Sequence, residues 1–310
     1  MIQTNDAFRV ELLRNIPHLH LAQGDILMCT NSGWDPEKVK VLHRESDGWD
    51  PECNLYRCDV RMLPLAGTRP KTSMSLKLLD GFCCQGGASM GYHQVGFIPY
   101  GIDISPQRHY PFPFHQGDVI QVLATLNAGG AIDFTHKDGT VEWLTLDQFV
   151  ASHMSPPCQA KTKAQKIMAR KHPRLIAPTR ELLIESGLPY VIENVVPENE
   201  EEDEDPLIEP IELCGAMFGL GTYRHRLFES NMPITAPEHP AHTARNTKMG
   251  RPPVDGEFMH VVGNFSGVEQ AKKAMGISWM TRDGLRESIP PAYTEHIGRQ
   301  LMAQLVGVAA

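Results

Sequence analysis

Hydrophobic and polar positions divide the chain into a weakly patterned first part and a strongly patterned remainder. Between residues 23 and 65, short runs of alternating apolar and polar residues are separated by turn-rich pieces such as residues 47–51. Such runs are typical of strands joined by tight turns. We therefore predict a small β-rich unit over residues 1–70, followed by a polar linker.

The strongly patterned part begins at Leu76 with a short apolar strand, and a glycine-bearing turn over residues 80–87 follows it. A helix over 88–95 comes next, and then two strands that lead to Asp103 and Asp118. A strand, a glycine-rich turn, a helix and an acid at the next strand end are the layout of a nucleotide-type cofactor site. This order predicts an α/β fold with a mostly parallel, twisted sheet.

The same alternation of strands and helices continues to the end of the chain. Asp138-Gly139 between two β-rich runs predicts a hairpin within residues 132–146. A strand then leads to Pro156-Pro157, and a buried strand is expected over 190–195. A last helix is expected from Pro291, because proline is favoured in the first turn of a helix.

Composition narrows the class of protein. Among 310 residues, 41% are apolar and 21% charged, which is ordinary for a globular protein. No apolar run approaches the ~20 residues of a membrane span, and the N-terminus lacks a signal pattern, so we expect a cytoplasmic protein without membrane contact. The seven cysteines include the adjacent pair Cys83-Cys84, which favours reduced thiols. Cys29, Cys53 and Cys58 lack a zinc-type spacing, and no metal is expected.

The net charge of −8 is unevenly distributed. The acidic block over residues 198–205 accounts for most of the excess, whereas residues 161–174 form a basic stretch. Because binding to a phosphate backbone depends on local patches, the total charge does not exclude a nucleic-acid partner.

The segment Ser155-Pro156-Pro157-Cys158-Gln159 is the strongest candidate for chemistry. Two prolines cannot extend a sheet, so Cys158 would be presented at a strand's C-terminal edge, where open α/β sheets bind ligands. The tripeptide Pro-Pro-Cys alone is equally compatible with a turn that carries an incidental cysteine. Glu193, an acid at the end of an apolar strand, is either a structural cap or a group held for chemistry.

With these motifs in order, the chain resembles the cytosine-C5 DNA methyltransferases over roughly residues 76–305. The matching motifs are DGFCCQGG at 80–87, the acids Asp103 and Asp118, SPPCQ at 155–159, ENV at 193–195, the pair Arg224 and Arg226, and IPPAYTEHIG at 289–298. The i, i+2 spacing of Arg224 and Arg226 predicts that both lie on one face of a strand.

The resemblance implies a Rossmann-like, S-adenosylmethionine-dependent methyltransferase fold. The catalytic, cofactor-binding domain would cover 76–230 and a short target-recognition region 231–270. A C-terminal segment over 271–310 would pack back on the catalytic domain. The expected partner is double-stranded DNA, and the expected state is a monomer.

The resemblance also assigns the site residues. Catalysis would fall to Cys158, Glu193, Arg226, Arg224 and Asn194. S-adenosyl-L-methionine would be bound by Asp80, Phe82, Cys83, Gly86, Gly87, Asp103, Ile104, Asp118, Val119 and Pro156. DNA would be contacted by Gln159, Lys161, Lys163, Arg245 and Lys248.

The implied mechanism is covalent. The Cys158 thiolate would add to C6 of a flipped-out cytosine, which makes C5 nucleophilic toward a methyl sulfonium. Glu193 would donate to N3, Arg226 would hold O2 with Arg224 supporting the geometry, and Asn194 would orient the loop.

The chain departs from the family's pattern at three places. Cys84 stands where the cofactor loop usually has glycine, and Arg286-Glu287-Ser288 stands where the last motif has Gly-Asn-Ala. After the nucleophile, residues 160–163 read Ala-Lys-Thr-Lys instead of a run with Phe, Ser and Gly. The first two positions bear on cofactor binding and the third on loop closure.

Three alternatives stay open at this point. A related enzyme of the same motif set could methylate tRNA. A non-catalytic DNA-binding relative is disfavoured by the intact Cys158, Glu193 and Arg226. A nicotinamide oxidoreductase would leave the Pro-Pro-Cys turn unexplained and would need a full GxGxxG motif, which the chain lacks.

Overall fold

A computed structural model describes the chain in two compact units, Met1–Met74 and Ser75–Ala310. The described residues exclude 1–7, 13–25, 32–37, 45–53, 57–59, 64–75, 158–173, 198, 200–202, 249 and 307–310. Within the described ranges, every helix is too short or too polar to cross a membrane.

The first unit is an antiparallel sheet of five strands in the order β4-β3-β2-β1-β5. A β-bulge interrupts the pairing of β2 with β3 between Met28 and Cys29. The strands are β1 (Phe8–Leu12), β2 (Ile26–Asn31), β3 (Lys38–Arg44), β4 (Asn54–Tyr56) and β5 (Val60–Leu63).

The second unit is built on a nine-stranded sheet in the order β10-β9-β8-β7-β6-β11-β12-β14-β13. Strands β6, β7, β8, β11 and β12 run parallel, whereas β9 and β10 on one side and β14 on the other pair antiparallel. The strands are β6 (Lys77–Gly81), β7 (Ile98–Asp103), β8 (Phe114–Gln116), β9 (Ile132–Thr135), β10 (Val141–Leu144), β11 (Phe149–Met154), β12 (Tyr190–Val195), β13 (Ile211–Leu213) and β14 (Arg226–Ser230).

Helices cover both faces of this sheet. The helices are α1 (Gly87–Gln94), α2 (Val119–Asn127), α3 (Ile176–Ser186), α4 (Val268–Met275), α5 (Arg282–Glu287) and α6 (Pro291–Val306). Side chains alternate along β6, so Leu79 joins a core with α2 and α3 while Leu78 joins a core with α1 and α6. The predicted Rossmann-like α/β fold, the hairpin of β9 and β10 and the helix from Pro291 are confirmed.

The strand order places a switch point between β6 and β11. The chain moves from β6 to β7 on one side and later returns to β11 on the other. In open α/β sheets, ligands bind in the crevice outside the carboxyl ends of the strands at such a point. The loops after Gly81 and Met154 therefore flank the expected binding crevice.

Part of the acidic block has a structural role. The buried Asp205 carboxylate accepts hydrogen bonds from the backbone N–H groups of Ile176 and Ala177, both at 2.9 Å, and so caps the first turn of α3. Arg174 also forms an ion pair with Glu204. Asp205, the last residue of the acidic block, is therefore a buried helix cap and not a solvated charge.

Candidate active site

The loop after β6 has a strained backbone. Phe82 and Cys84 have φ angles of 57° and 47°, in the left-handed region that side chains disfavour, and Gly86 has φ 83°. The N–H of Cys83 donates to the Ile102 carbonyl at 3.1 Å, which ties the loop to β7. Backbone strain of this kind persists where surrounding structure enforces it, commonly at binding sites.

Asp103 connects this loop to the end of β7. Its Oδ2 accepts a hydrogen bond from the Cys84 N–H at 3.0 Å, and its Oδ1 accepts one from the Ser105 N–H at 2.9 Å. The next side chain, Ile104, is 70% exposed. An acid and an exposed apolar side chain thus stand together at the carboxyl edge of the sheet.

Asp118 lies at the next strand end and caps α2. Its Oδ1 accepts from the backbone N–H of Ile120 at 2.8 Å and of Gln121 at 3.4 Å. Val119 follows it, and its side chain is only 2% exposed within the sheet's core. Because its side chain is buried, Val119 offers a ligand only backbone atoms, and its place in cofactor binding stays a prediction.

Asp80 is a fully buried acid at the end of β6. It accepts a hydrogen bond from the Ser89 hydroxyl, which also pairs with the Tyr110 hydroxyl at 2.7 Å. Burial raises the pKa of the Asp80 carboxyl to about 7. Its Oδ1 is buried and has no hydrogen-bond partner, so it is available to a donor brought by a ligand.

Gly87 begins α1 for a reason of packing. A Cβ at this position would collide with the Ser288 hydroxyl and the Ile289 carbonyl. The glycine therefore lets α1 approach the segment before α6 closely. This gives Gly87 a structural explanation that the cofactor motif alone did not suggest.

Pro156 and Asn194 join the ends of β11 and β12. Asn194 Nδ2 donates to the Pro156 carbonyl at 2.9 Å, and both residues are buried. This bond anchors the turn that leads to the predicted nucleophile. Cys158, Gln159, Lys161 and Lys163 lie outside the described residues.

Glu193 and Arg226 form an ion pair at this end of the sheet. Arg226 Nε lies 3.0 Å from Glu193 Oε1, and the two side chains are 14% and 9% exposed. Asn194, next to Glu193, makes the bond to the Pro156 turn. The pair thus lies beside the chain segment that leads to Cys158.

Arg224 has a different environment from Arg226. Its guanidinium donates to the carbonyls of Ser288 at 2.6 Å, Arg286 at 2.7 Å and Val261 at 2.8 Å. It precedes β14, with φ 36°, so the expectation that the two arginines share one strand face is wrong. Arg224 ties the end of α5 to the region around Val261.

The predicted DNA contacts of the recognition region are exposed. Arg245 and Lys248 both lie at the surface, and Arg245 belongs to the short strand β15 (Arg245–Asn246). It pairs in parallel with β16 (Glu257–Phe258). These two cations are therefore accessible to a polyanion.

Sequence reasoning missed the residues that brace the cofactor loop from the C-terminal side. The Trp279 indole N–H donates to the Gln85 carbonyl at 2.8 Å, and the Gln85 side chain accepts from the Thr281 N–H at 3.0 Å. Cys84 Sγ lies 3.6 Å from Glu287 Oε2. No local motif marks these contacts, because each partner lies near the opposite end of the domain.

The residues around the glycine loop fit S-adenosylmethionine. Its ribose diol can donate to Asp103, and its flat adenine can cover the exposed Ile104. Asp80 Oδ1 has no hydrogen-bond donor, and the ammonium group of the cofactor can supply one. The donors and apolar surface of the cofactor thus have counterparts in this crevice.

No protein-family model and no curated protein matches the sequence. A protein described as a DNA modification methyltransferase encoded within an E. coli prophage matches in structure with a TM-score of 0.48 at 13% identity, covering 75% of this chain and 100% of that chain. A Spodoptera frugiperda DNMT2 variant matches with a TM-score of 0.45 at 13% identity, covering 74% and 100%. The S. pombe Dnmt2 methyltransferase gives 0.44 at 13% identity, covering 74% and 99%. At this identity and these TM-scores, the activity has to be argued from the site itself.

Proposed function

We propose that this protein is a DNA cytosine-5 methyltransferase that uses S-adenosylmethionine. The observation that carries the proposal is the Glu193–Arg226 pair at the end of β12, joined through Asn194 and Pro156 to the turn before Cys158. An acid and a cation beside the chain segment that leads to the Cys158 thiol suit addition of that thiol to an electron-poor ring. The glycine loop and Asp103 lie at the same edge and suit the methyl donor.

Glu193 and Arg226 are assigned the stabilisation of the charge that develops on the base. When the Cys158 thiolate adds to C6 of cytosine, electron density moves onto N3 and O2, and Glu193 is assigned the donation of a proton to N3. Arg226, already held by Glu193, is assigned the hydrogen bond to O2. C5 then carries the electron pair that accepts a methyl group, and S-adenosylmethionine supplies that group when bound.

The last step restores aromaticity. Loss of the C5 proton to a base, expulsion of the Cys158 thiolate and return of the N3 proton to Glu193 restore the ring with a methyl group in place of hydrogen. No side chain is assigned as that base. Because the reacting atoms are inaccessible in a duplex, the target base leaves the stack at a cost of a few kcal/mol.

The remaining chain is assigned supporting roles. We propose residues 231–270 as the recognition region, with Arg245 and Lys248 on the DNA backbone, and Gln159, Lys161 and Lys163 near the flipped base. Trp279, Thr281 and Glu287 of the C-terminal segment contact the cofactor loop and are assigned its support. So small a recognition region favours a short target sequence, because direct readout needs a few placed side chains per base pair.

The test is labelled methyl transfer followed by mass spectrometry of digested nucleic acid. Wild-type protein is expected to form 5-methylcytosine in duplex DNA, and Cys158→Ala to form none. A DNA duplex carrying 5-fluorocytosine should trap a covalent complex with the wild-type protein only. Duplex DNA and tRNA are supplied in parallel arms.

Two results would overturn the proposal. The mechanism is excluded if Cys158→Ala methylates as fast as wild type. Methylation of tRNA with none of DNA would assign the protein to the RNA-modifying alternative. A Cys29→Ser variant, in β2 of the first unit, is the matched thiol control and should still trap the complex.

A further inference from the structure

Four potential metal ligands meet beside the start of β14. The cluster consists of Cys214, His225, His239 and His242, and one ligand atom from each lies within 4.8 Å of all the others. Cys214 is buried, His225 is half-buried, and the other two are exposed. Such a set of one thiol and three imidazoles is a complete ligand set for a tetrahedral ion.

The shortest distances within the cluster are those of a coordination sphere. Cys214 Sγ lies 3.4 Å from His242 Nε2, and His225 Nε2 lies 3.3 Å from the same atom. Zinc bonds of about 2.0–2.3 Å at tetrahedral angles separate two nitrogens by about 3.3 Å and a sulfur from a nitrogen by about 3.6 Å. The described atoms therefore lie where a single ion could contact them together.

Groups outside the cluster orient two of the imidazoles. His225 Nδ1 lies 2.9 Å from Glu212 Oε1, which leaves Nε2 directed at the cluster. The His242 ring stacks on Tyr223 with centroids 3.6 Å apart and an interplanar angle of 17°. A carboxylate on the far nitrogen of a ligating histidine is a common support for metal binding, since it sets the tautomer and raises basicity.

We propose that Cys214, His225, His239 and His242 bind one zinc ion in a closed, structural site. A thiolate with three imidazoles suits Zn²⁺, and four protein ligands leave no position for a substrate. The cysteines that sequence reasoning weighed as ligands, Cys29, Cys53 and Cys58, are different residues. The closely spaced His239 and His242 are the feature of the sequence that could have indicated this site.

The position of the cluster indicates which parts of the chain a bound ion would hold together. Cys214 directly follows β13, and His225 directly precedes Arg226 in β14. His239 and His242 belong to the irregular chain after β14. An ion here would fasten that chain to the strand end that carries Arg226, and so hold the entry to the proposed recognition region.

A hydrogen-bonded cluster without metal is the competing explanation. The 3.3 Å separation of the His225 and His242 nitrogens also suits one N–H donating to the other ring. The two explanations differ in the thiol. Zinc binds the Cys214 thiolate, so the thiol proton is released on binding. A hydrogen bond between two neutral histidines does not require the thiol to lose its proton.

The test uses the full chain, purified without a histidine tag and stripped with a chelator. Zinc uptake is measured by mass spectrometry of the metal, and Co²⁺ is added as a spectroscopic probe. We expect about one equivalent of either ion, with tetrahedral cobalt bands and a thiolate-to-cobalt charge-transfer band. Zinc should also raise the Tm of the stripped protein.

Variants separate the site from other thiols and histidines. Cys214→Ser should lose the charge-transfer band, and His239→Ala, at an exposed position, should bind zinc roughly tenfold or more weakly without a loss of fold. His109→Ala, at an exposed position outside the cluster, is the matched control and should bind as wild type.

Three outcomes would overturn the proposal. They are no zinc uptake by wild-type protein, an unchanged charge-transfer band in Cys214→Ser, and unchanged zinc affinity in His239→Ala. If Cys214→Ser does not fold by circular dichroism, the exposed His239→Ala variant and the Tm of wild-type protein with and without zinc still decide between the two explanations.

Discussion

The thiol of Cys84 donates to the carboxylate of Glu287, with Sγ 3.6 Å from Oε2. Both residues stand where the chain departs from the methyltransferase pattern, so the two departures meet in one contact. Burial, and then the charge of Glu287, raises the pKa of the Cys84 thiol to about 12. This thiol therefore stays protonated and does not compete with Cys158, the proposed nucleophile.

Replacing Cys84 with glycine should relieve backbone strain. Cys84 has φ 47°, and a non-glycine residue in that region costs about 1–2 kcal/mol. We expect Cys84→Gly to be more stable than Cys84→Ala by about 1 kcal/mol, because both lose the thiol but only glycine accepts the angle. Urea unfolding compares the two variants, and equal stability would show that the loop carries no strain.

Asp80 should make the free energy of unfolding depend on pH. Its pKa is raised from the ordinary value of 3.8 to about 7 by burial, so the folded protein binds this proton more tightly than the unfolded chain. Its stabilising contribution is complete below pH 3.8 and is lost as the pH rises to about 7. The loss amounts to about 4 kcal/mol.

Asp80→Asn mimics the protonated acid and should flatten that dependence. Urea unfolding of both proteins at several pH values between 4 and 8 measures it. Parallel pH profiles would contradict the assignment. A Ser89→Ala variant loses the hydroxyl that donates to Asp80, and the pKa of the Asp80 carboxyl should therefore rise further.

Arg180 should be required for folding stability. It pairs with the buried Glu229 through two hydrogen bonds of 2.7 Å, and so joins α3 to β14. Arg180→Ala removes the cation from that buried carboxylate, which keeps only the neutral donors Ile208 N–H and Tyr190 hydroxyl, and should lower the free energy of unfolding by about 3–5 kcal/mol. Arg299→Ala breaks the exposed pair with Glu295 and should cost less than about 0.5 kcal/mol. Denaturant unfolding measures the stability loss of each variant. Similar losses would contradict the expected difference between the buried and the exposed ion pair.

Glu193 should control the chemical step. We expect Glu193→Gln to lower kcat for methyl transfer by about 10²–10⁴-fold, because the amide cannot donate an acidic proton to N3. DNA affinity in a filter-binding assay should change little. Glu295→Gln, on the outer part of α6, is the control. A Glu193→Gln variant with wild-type kcat would remove this residue from the mechanism.

Local patterns predicted those features that depend on near neighbours in the chain. The strand of Leu78 and Leu79, the acid Asp103 at the end of β7 and the hairpin around Gly139 were all predicted, since each is encoded within a few residues. The expected pairing of Arg224 with Arg226 failed for the opposite reason. Their i, i+2 spacing assumed an extended strand, but tertiary carbonyl partners hold Arg224 in a left-handed turn.

The sequence by itself determined the order of the elements and the identity of the acids and thiol offered at strand ends, because backbone periodicity and turn chemistry are local. Only the tertiary structure decided which distant groups meet. Cys84 and Glu287 are 203 positions apart, and the Cys214 cluster draws on β13, β14 and the chain beyond them. Such contacts follow from how sheet and helices pack, a long-range property that no local pattern carries.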